Sequence, residues 1–239
     1  MTITTKKERP LYKIFTAVPP SYDLINRIFT LTLDEKWRKI AARECLADNP
    51  SHVMDLCTGT GDLAVRLARM GNGKIRITGY DYSQPMLDLA KKKALGYQIQ
   101  DIDFKQGDAA AMPFSDNYFD SIGIAFAFRN LTFKNFDTPK FLHEIHRVLK
   151  PGGRFVIIES SQPKWGWLKM LFRAWTKYFV YPIGGLISGN RPAYKYLSYS
   201  VIHYYQPEEI CDLLKDHGFS EVTFKRLTGG VAALHVAVK

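Results

Sequence analysis

VMDLCTGTGDLAVRLARM, Val53 to Met70, carries the most informative local pattern in the chain. A short apolar strand-like run ends in a glycine-rich loop, CTGTG, which passes directly into a helical segment, DLAVRLARM. Glycine lets a backbone turn tightly and approach a ligand closely, and a helix N-terminus offers free N–H groups. Taken as Gly59, Gly61 and Ala64, the loop matches the loose dinucleotide pattern GxGxxA, with Asp81 about twenty residues further on. That pattern alone is weak, because it serves more than one nucleotide-like ligand.

Asp55, at the end of the strand and just beneath the loop, separates the ligands. A carboxylate there repels a pyrophosphate and attracts a cation such as the ammonium and sulfonium of S-adenosylmethionine, so a sulfonium cofactor is favoured over a nicotinamide one. The other reading of Asp55 is an acid that caps the following helix through loop N–H groups. Asp81 closes the next strand in GYDYS, where a carboxylate can accept both hydroxyls of a ribose, or cap the helix opening at Ser83-Gln84-Pro85. Asp108 follows the third strand, where its side chain or the N–H of Ala109 could meet an adenine edge; a plain turn role competes with this.

Outward from the loop, short apolar runs alternate with helical segments: HVMDL, DLAVRLARM, IRITGYD, PMLDLAKKKA, IDFKQGD, FDSIGIAFAF, TPKFLHEIHRVL and GRFVIIE. This alternation predicts an α/β, doubly wound, mostly parallel seven-stranded sheet with helices on both faces. Pro151-Gly152-Gly153 reads as the helix stop before the fifth strand. EVTFKRL and VAALHVAVK are joined through Thr228-Gly229-Gly230, a hairpin signal, so the final pairing is expected to be antiparallel. Residues 1–50 read as a helical lid, with helices over Tyr22–Phe29 and Leu33–Leu46. Residues 51–239 read as the catalytic domain, and 160–205 as an insertion rich in aromatics and lysine.

Composition bounds the rest. With 239 residues, 46% hydrophobic and 23% charged, the chain can bury one sizeable core. The net charge of +10 is compatible with nucleic acid, an anionic membrane surface or simple solubility. Three cysteines without CxxC spacing argue against a disulfide framework or zinc site and for a cytoplasmic protein. The N-terminus has no apolar signal-like region, and no apolar run is long enough to span a bilayer, so membrane contact is expected to be peripheral, at the inner face.

FDSIGIAFAFRN, from Phe119, reads as a buried fourth strand that delivers Arg129 into the crevice at the carboxyl ends of the strands. In the insertion, Leu168, Leu171, Phe172, Trp175 and Phe179 share one helical stripe with Lys169, Arg173 and Lys177 on its flank. That pattern suits an anionic membrane surface or a channel for an apolar tail, and equally packing on the domain or on a second subunit of a homodimer.

Together these segments resemble class I S-adenosylmethionine-dependent methyltransferases, which have a Rossmann-like fold, and more closely the quinone-biosynthesis C-methyltransferases, the demethylmenaquinone and polyprenyl-methoxybenzoquinol methylases. The resemblance is carried by SYDLINRIFTLTLDEKWRK, DLCTGTGDL, DAAAMPFSDNYFDSIGIAFAFRN, HRVLKPGGRFVIIE, YKYLSYS and LTGGVAALHVA, and it covers nearly the whole chain. It implies cofactor contact at Thr60, Asp81, Asp108 and Ala109, and at the position of Ala125, where many relatives carry a serine and this chain would need a backbone group. Cys57 stands where the wider family often has glycine.

The reaction it implies is methylation of a ring carbon on a polyprenylated quinol, demethylmenaquinol or the benzoquinol of ubiquinone synthesis, with no metal. Arg129 would bind the phenolate oxygen or hold a water that carries its proton away, since a guanidinium does not give up its own. Tyr22 and Asn26 would cover the ring from one helix face, and Asp23, His203 and Tyr204 are candidate proton acceptors. An RNA or other small-molecule methyltransferase shares the cofactor domain, but the Asn/Asp-Pro-Pro-aromatic motif of amino-directed enzymes is missing where this chain reads AFAFRN. No nucleic-acid partner is therefore expected.

Overall fold

The computed structural model describes residues 22–239, so the front of the segment expected as a lid lies outside the described residues. Strands β1 (His52–Leu56), β2 (Arg76–Asp81), β3 (Ile102–Gln106), β4 (Phe119–Ala125), β5 (Leu149–Ser160), β6 (Ser220–Leu227) and β7 (Ala232–Val238) form one sheet in the order β3-β2-β1-β4-β5-β7-β6. The first five pair in parallel, and β7 runs antiparallel to both β5 and β6, which is the expected hairpin ending. The chain winds outward from β1 to β3 and returns to the other side of β1 with β4. The reversal leaves a crevice at the carboxyl ends of β1 and β4, where such sheets bind ligands.

Successive strand residues point to opposite faces, and both faces are covered. Met54, Leu56, Ile122, Ile124, Phe155 and Ile157 pack on one side against α5 (Phe128–Thr132), α6 (Thr138–Val148) and α10 (Pro207–Lys215). Val53, Ile77, Val156 and Ile158 pack on the other against α2 (Leu33–Cys45) and α3 (Asp62–Gly71). Trp37, Ala41, Ala42 and Cys45 of α2 belong to this second core, so the later of the two N-terminal helices is a layer of the domain. Helix α4 (Gln84–Gly96) lies beside the glycine loop, and Gly61 shows why. A Cβ there would sit 2.9 Å from Ala90 Cβ, and its φ of +83° is one that side chains disfavour.

Two local readings change. Helix α6 ends at Val148 and runs straight into β5, so Pro151-Gly152-Gly153 lies inside the strand's range. The fourth strand ends at Ala125: the Phe126 N–H makes a last sheet bond to Ile158 O at 2.8 Å, and Phe126 then takes φ 59°. The chain turns there into α5, so Arg129 stands on a short helix after the strand.

Beyond β5 the insertion is α7 (Gly166–Trp175), a π-helical turn (Thr176–Val180), α8 (Tyr181–Ser188) and α9 (Arg191–Ile202). Helix α1 (Tyr22–Phe29) leans on it. The Phe29 ring meets Phe179 and Tyr194 edge-on at 6.3 and 6.0 Å, and Trp175 Nε1 donates to Phe29 O at 3.2 Å. Helix α1 and the insertion therefore roof the crevice together.

Candidate active site

The loop after β1 is held by the two acids flagged in the sequence. Asp55, 1% exposed, accepts the Thr58 hydroxyl at 2.6 Å and the Ala64 N–H at 2.9 Å, so it also does the helix-capping work of its second reading. Burial pushes its carboxyl up to about 7 against the pull of those hydrogen bonds. Asp81 accepts the N–H groups of Gly59 and Ser83, both at 2.8 Å, and burial raises it too. Asp108 accepts the Ala110 N–H at 2.9 Å. The three carboxylates all act on the half-buried Cys57 thiol, whose pKa desolvation raises first and these negative charges raise further.

Asp55, Gly59, Thr60, Asp81, Asp108, Ala109 and Ala125 line one cavity of about 820 Å³, the size of a small-molecule site. This wall suits a cationic, ribose-bearing cofactor. Two of its carboxylates are held above their usual range by burial, which a positive charge would relieve, and Gly59 lines the space without a side chain; Gly61, also expected at the cofactor, is not among the lining residues, and a Cβ on it would meet Ala90 and Phe104.

The same cavity continues past β4 into an apolar compartment walled by Phe29, Trp37, Phe126, Phe172, Trp175 and Leu197. Arg129 stands at the junction, 3% exposed. Its Nη1 donates to Ser200 Oγ and, at 3.4 Å, to Asn130 Oδ1, and its guanidinium lies 5.9 Å from the Tyr196 ring centroid. Glu159, 1% exposed at the end of β5, accepts the Arg129 N–H at 3.0 Å and lies 3.9 Å from Arg129 Nε. Glu159 and Tyr196 were not singled out from the sequence. The signal for Glu159 was there: VIIE ends a buried strand in a carboxylate beside the strand that leads to Arg129.

The α1 candidates divide. Asn26 lines the cavity, whereas the side chain of Tyr22 lies outside the described residues. Asp23 is not among the lining residues; it accepts from Thr60 Oγ1 at 2.7 Å and pairs with Lys93 Nζ at 2.6 Å. Lys93 also bonds Thr60 at 3.0 Å and Asp62, so Asp23 ties α1 to the cofactor loop. His203 is not brought to the cavity: it is exposed at the end of α9, its ring tilted over Tyr199, with Nδ1 on Tyr199 O at 2.8 Å. Tyr204 is buried against Thr132, its hydroxyl 2.8 Å from Oγ1, and also lies off the lining. Leu168, Leu171, Phe172 and Trp175 of the insertion stripe line the cavity, while Phe179 stacks on Trp175 at 4.1 Å.

A family model described as the ubiE/COQ5 methyltransferase family matches residues 3–239. Demethylmenaquinone methyltransferase of Deinococcus radiodurans is 39% identical over 233 residues, covering 98% of this chain and 94% of that protein. Ubiquinone/menaquinone biosynthesis C-methyltransferase UbiE of Rickettsia felis is 36% identical over 239 residues, covering 98% and 94%. Among solved structures, a SAM-dependent methyltransferase from Aquifex aeolicus superposes with a TM-score of 0.61 at 22% identity, covering 94% of this chain and 96% of its own. At that identity the likeness speaks to the fold.

Proposed function

The chain belongs to the ubiE/COQ5 methyltransferase family, and on that footing we propose that it methylates a ring carbon of a polyprenylated quinol, with demethylmenaquinol as the substrate. It is an S-adenosylmethionine-dependent methyltransferase. The observation that carries the substrate reading is the continuity of one cavity, from the carboxylate wall of the cofactor loop, past Arg129, into an aromatic and aliphatic compartment.

When bound, the cofactor supplies an electron-poor methyl group. The loop N–H groups, Asp55, Asp81 and the Asp108–Ala109 turn would hold it at the strand ends. Ala125 faces this wall without a hydroxyl. Arg129 would bind the quinol oxygen and stabilise it as it becomes a phenolate, which drives electron density into the ring carbon. The guanidinium keeps its own proton, so the departing proton leaves through a water it orients. Phe172, Trp175 and Leu197 would order the ring and tail and exclude bulk water, so that positioning supplies much of the rate. Asn26 reaches this space from α1, and Asp23, paired to Lys93, anchors that helix instead of taking the proton.

The tail has an outlet in this reading. Trp165 and Trp167 stack with ring centroids 6.3 Å apart and stand exposed together with Met170, Leu171 and Tyr178, near the basic side chains of Lys169, Arg173 and Lys177. An aromatic and basic surface of this kind suits peripheral contact with an anionic membrane at its cytoplasmic face. No described helix is long and apolar enough to cross a membrane. The name of the Rickettsia relative favours a second reading in which the benzoquinol is also accepted. Transfer from labelled S-adenosylmethionine to each reduced quinone tests both: a higher kcat/KM with demethylmenaquinol supports the first, equal values the second, and no transfer to either removes the proposal.

A further inference from the structure

Glu159 is a carboxylate where a parallel sheet ordinarily places an apolar side chain. It follows Phe155, Val156, Ile157 and Ile158, all fully buried in β5, and pairs with Ala233 of β7. An ionised carboxylate in such a position is unfavourable unless it is paired and hydrogen-bonded. Its Oε2 accepts the Arg129 N–H at 3.0 Å, its Oε1 accepts the Ser160 N–H at 2.9 Å, and Arg129 Nε lies 3.9 Å from Oε1. Among the described residues Arg129 Nε has no hydrogen-bond acceptor, so the Glu159 carboxylate is the charge that end of the guanidinium faces. Ser200 fixes the other end through Nη1, and the guanidinium carbon lies over the Tyr196 ring at 5.9 Å from its centroid.

We propose that Glu159 is a positioning residue for methyl transfer, acting through Arg129: it fixes the turn at the head of α5 and the direction in which the guanidinium meets the quinol oxygen. The inference rests on the methyl-transfer reading above and deepens it. Two N–H groups could be met by a serine or asparagine; a charge is needed here because the group it steers is itself a buried cation. The carboxylate accepts from the backbone and attracts the side chain of the same residue, so backbone and guanidinium are oriented together. The pair is also close to neutral as a unit, which lets an apolar ring enter the junction. When the quinol oxygen becomes a phenolate, the guanidinium is the cation already aimed at it.

The test is a cycle of Glu159→Gln, Arg129→Ala and the double variant, with kcat, quinol KM and S-adenosylmethionine dissociation constants for each. The expected result is a kcat loss on the order of tenfold or more for Glu159→Gln with cofactor affinity within about twofold, and a double variant no slower than Arg129→Ala alone. Unchanged turnover in Glu159→Gln, multiplying losses in the double variant, or cofactor affinity falling in step with turnover would each overturn the proposal. Should Glu159→Gln not fold, Glu159→Asp keeps the charge, withdraws it by one methylene and takes its place in the cycle. If the wild type methylates neither quinol, the substrate reading fails by itself, and the cycle is read on urea midpoints. Arg129→Ala must then lower the midpoint less in the Glu159→Gln background than in the wild type, and equal drops overturn the coupling.

Discussion

Replacing Asp55 by asparagine separates what this acid does for the fold from what it does for the cofactor. Its hydrogen bonds come from the Thr58 hydroxyl and the Ala64 N–H, and an amide oxygen can accept both. The charge is another matter. With its pKa raised from 3.8 to about 7 in the folded protein, Asp55 is protonated in both states at low pH and costs nothing. As pH rises past the lower value the unfolded chain ionises first, so stability is lost progressively until the folded carboxyl also ionises near 7, and the loss is constant above.

The rise from 3.8 to about 7 corresponds to roughly 4 kcal/mol in full, of which roughly 2–3 kcal/mol falls between about pH 5 and pH 8. Urea unfolding of wild type and Asp55→Asn at those two pH values isolates this group from the other titrations. The asparagine variant should gain roughly 2–3 kcal/mol on the wild type between the two. A cationic cofactor favours the ionised carboxyl, so calorimetry should find S-adenosylmethionine binding the wild type more tightly as pH rises through 7 and the variant losing that dependence. A stability difference that is the same at both pH values, or an affinity profile unchanged by the substitution, would rule out a buried Asp55 carboxyl that ionises near 7 beside the cofactor.

Arg129→Ala should lower turnover about 100-fold while leaving the cofactor dissociation constant within about twofold, measured by quinol kinetics beside calorimetry; equal losses in both would place its role in cofactor binding. Gly61→Ala should cost roughly 2–4 kcal/mol in urea unfolding, because it adds a side chain at positive φ and drives a Cβ to 2.9 Å from Ala90 Cβ, a neighbour with no torsion to move. Changing Lys169, Arg173 and Lys177 to glutamine should reduce sedimentation with anionic vesicles and leave that with neutral vesicles unchanged.

What was legible in the sequence was local. The strand, glycine loop and helix at Val53–Met70, the run of alternating elements and the closing hairpin are written in periods of two and 3.6 residues and in glycines, and all of them form. Boundaries failed where the backbone turns without an obvious signal. Phe126 takes a left-handed conformation although nothing in AFAFRN marks it, and that turn moves Arg129 from a strand end onto α5. Pairings across long stretches of chain were invisible: Glu159 meets Arg129 from 30 residues away and Ser200 meets it from 71. Asp23 and His203 are both candidate proton acceptors by sequence, but the fold pairs Asp23 with Lys93 and Thr60 and leaves His203 exposed after α9. Spacing along a helix shows which side chains share a face, but the partner that face meets is set by the tertiary fold.

In the proposed reaction a ring carbon receives the methyl group. Incubating the protein with demethylmenaquinol and S-adenosylmethionine carrying a carbon-13 methyl, then reading the product by carbon NMR, tests it most directly. The expected product is a menaquinol with a single labelled carbon at the shift of a methyl bonded to a ring carbon, formed by the wild type and strongly reduced in Arg129→Ala. Label at a methoxy shift, or none in the quinone fraction while the cofactor is consumed, would contradict it.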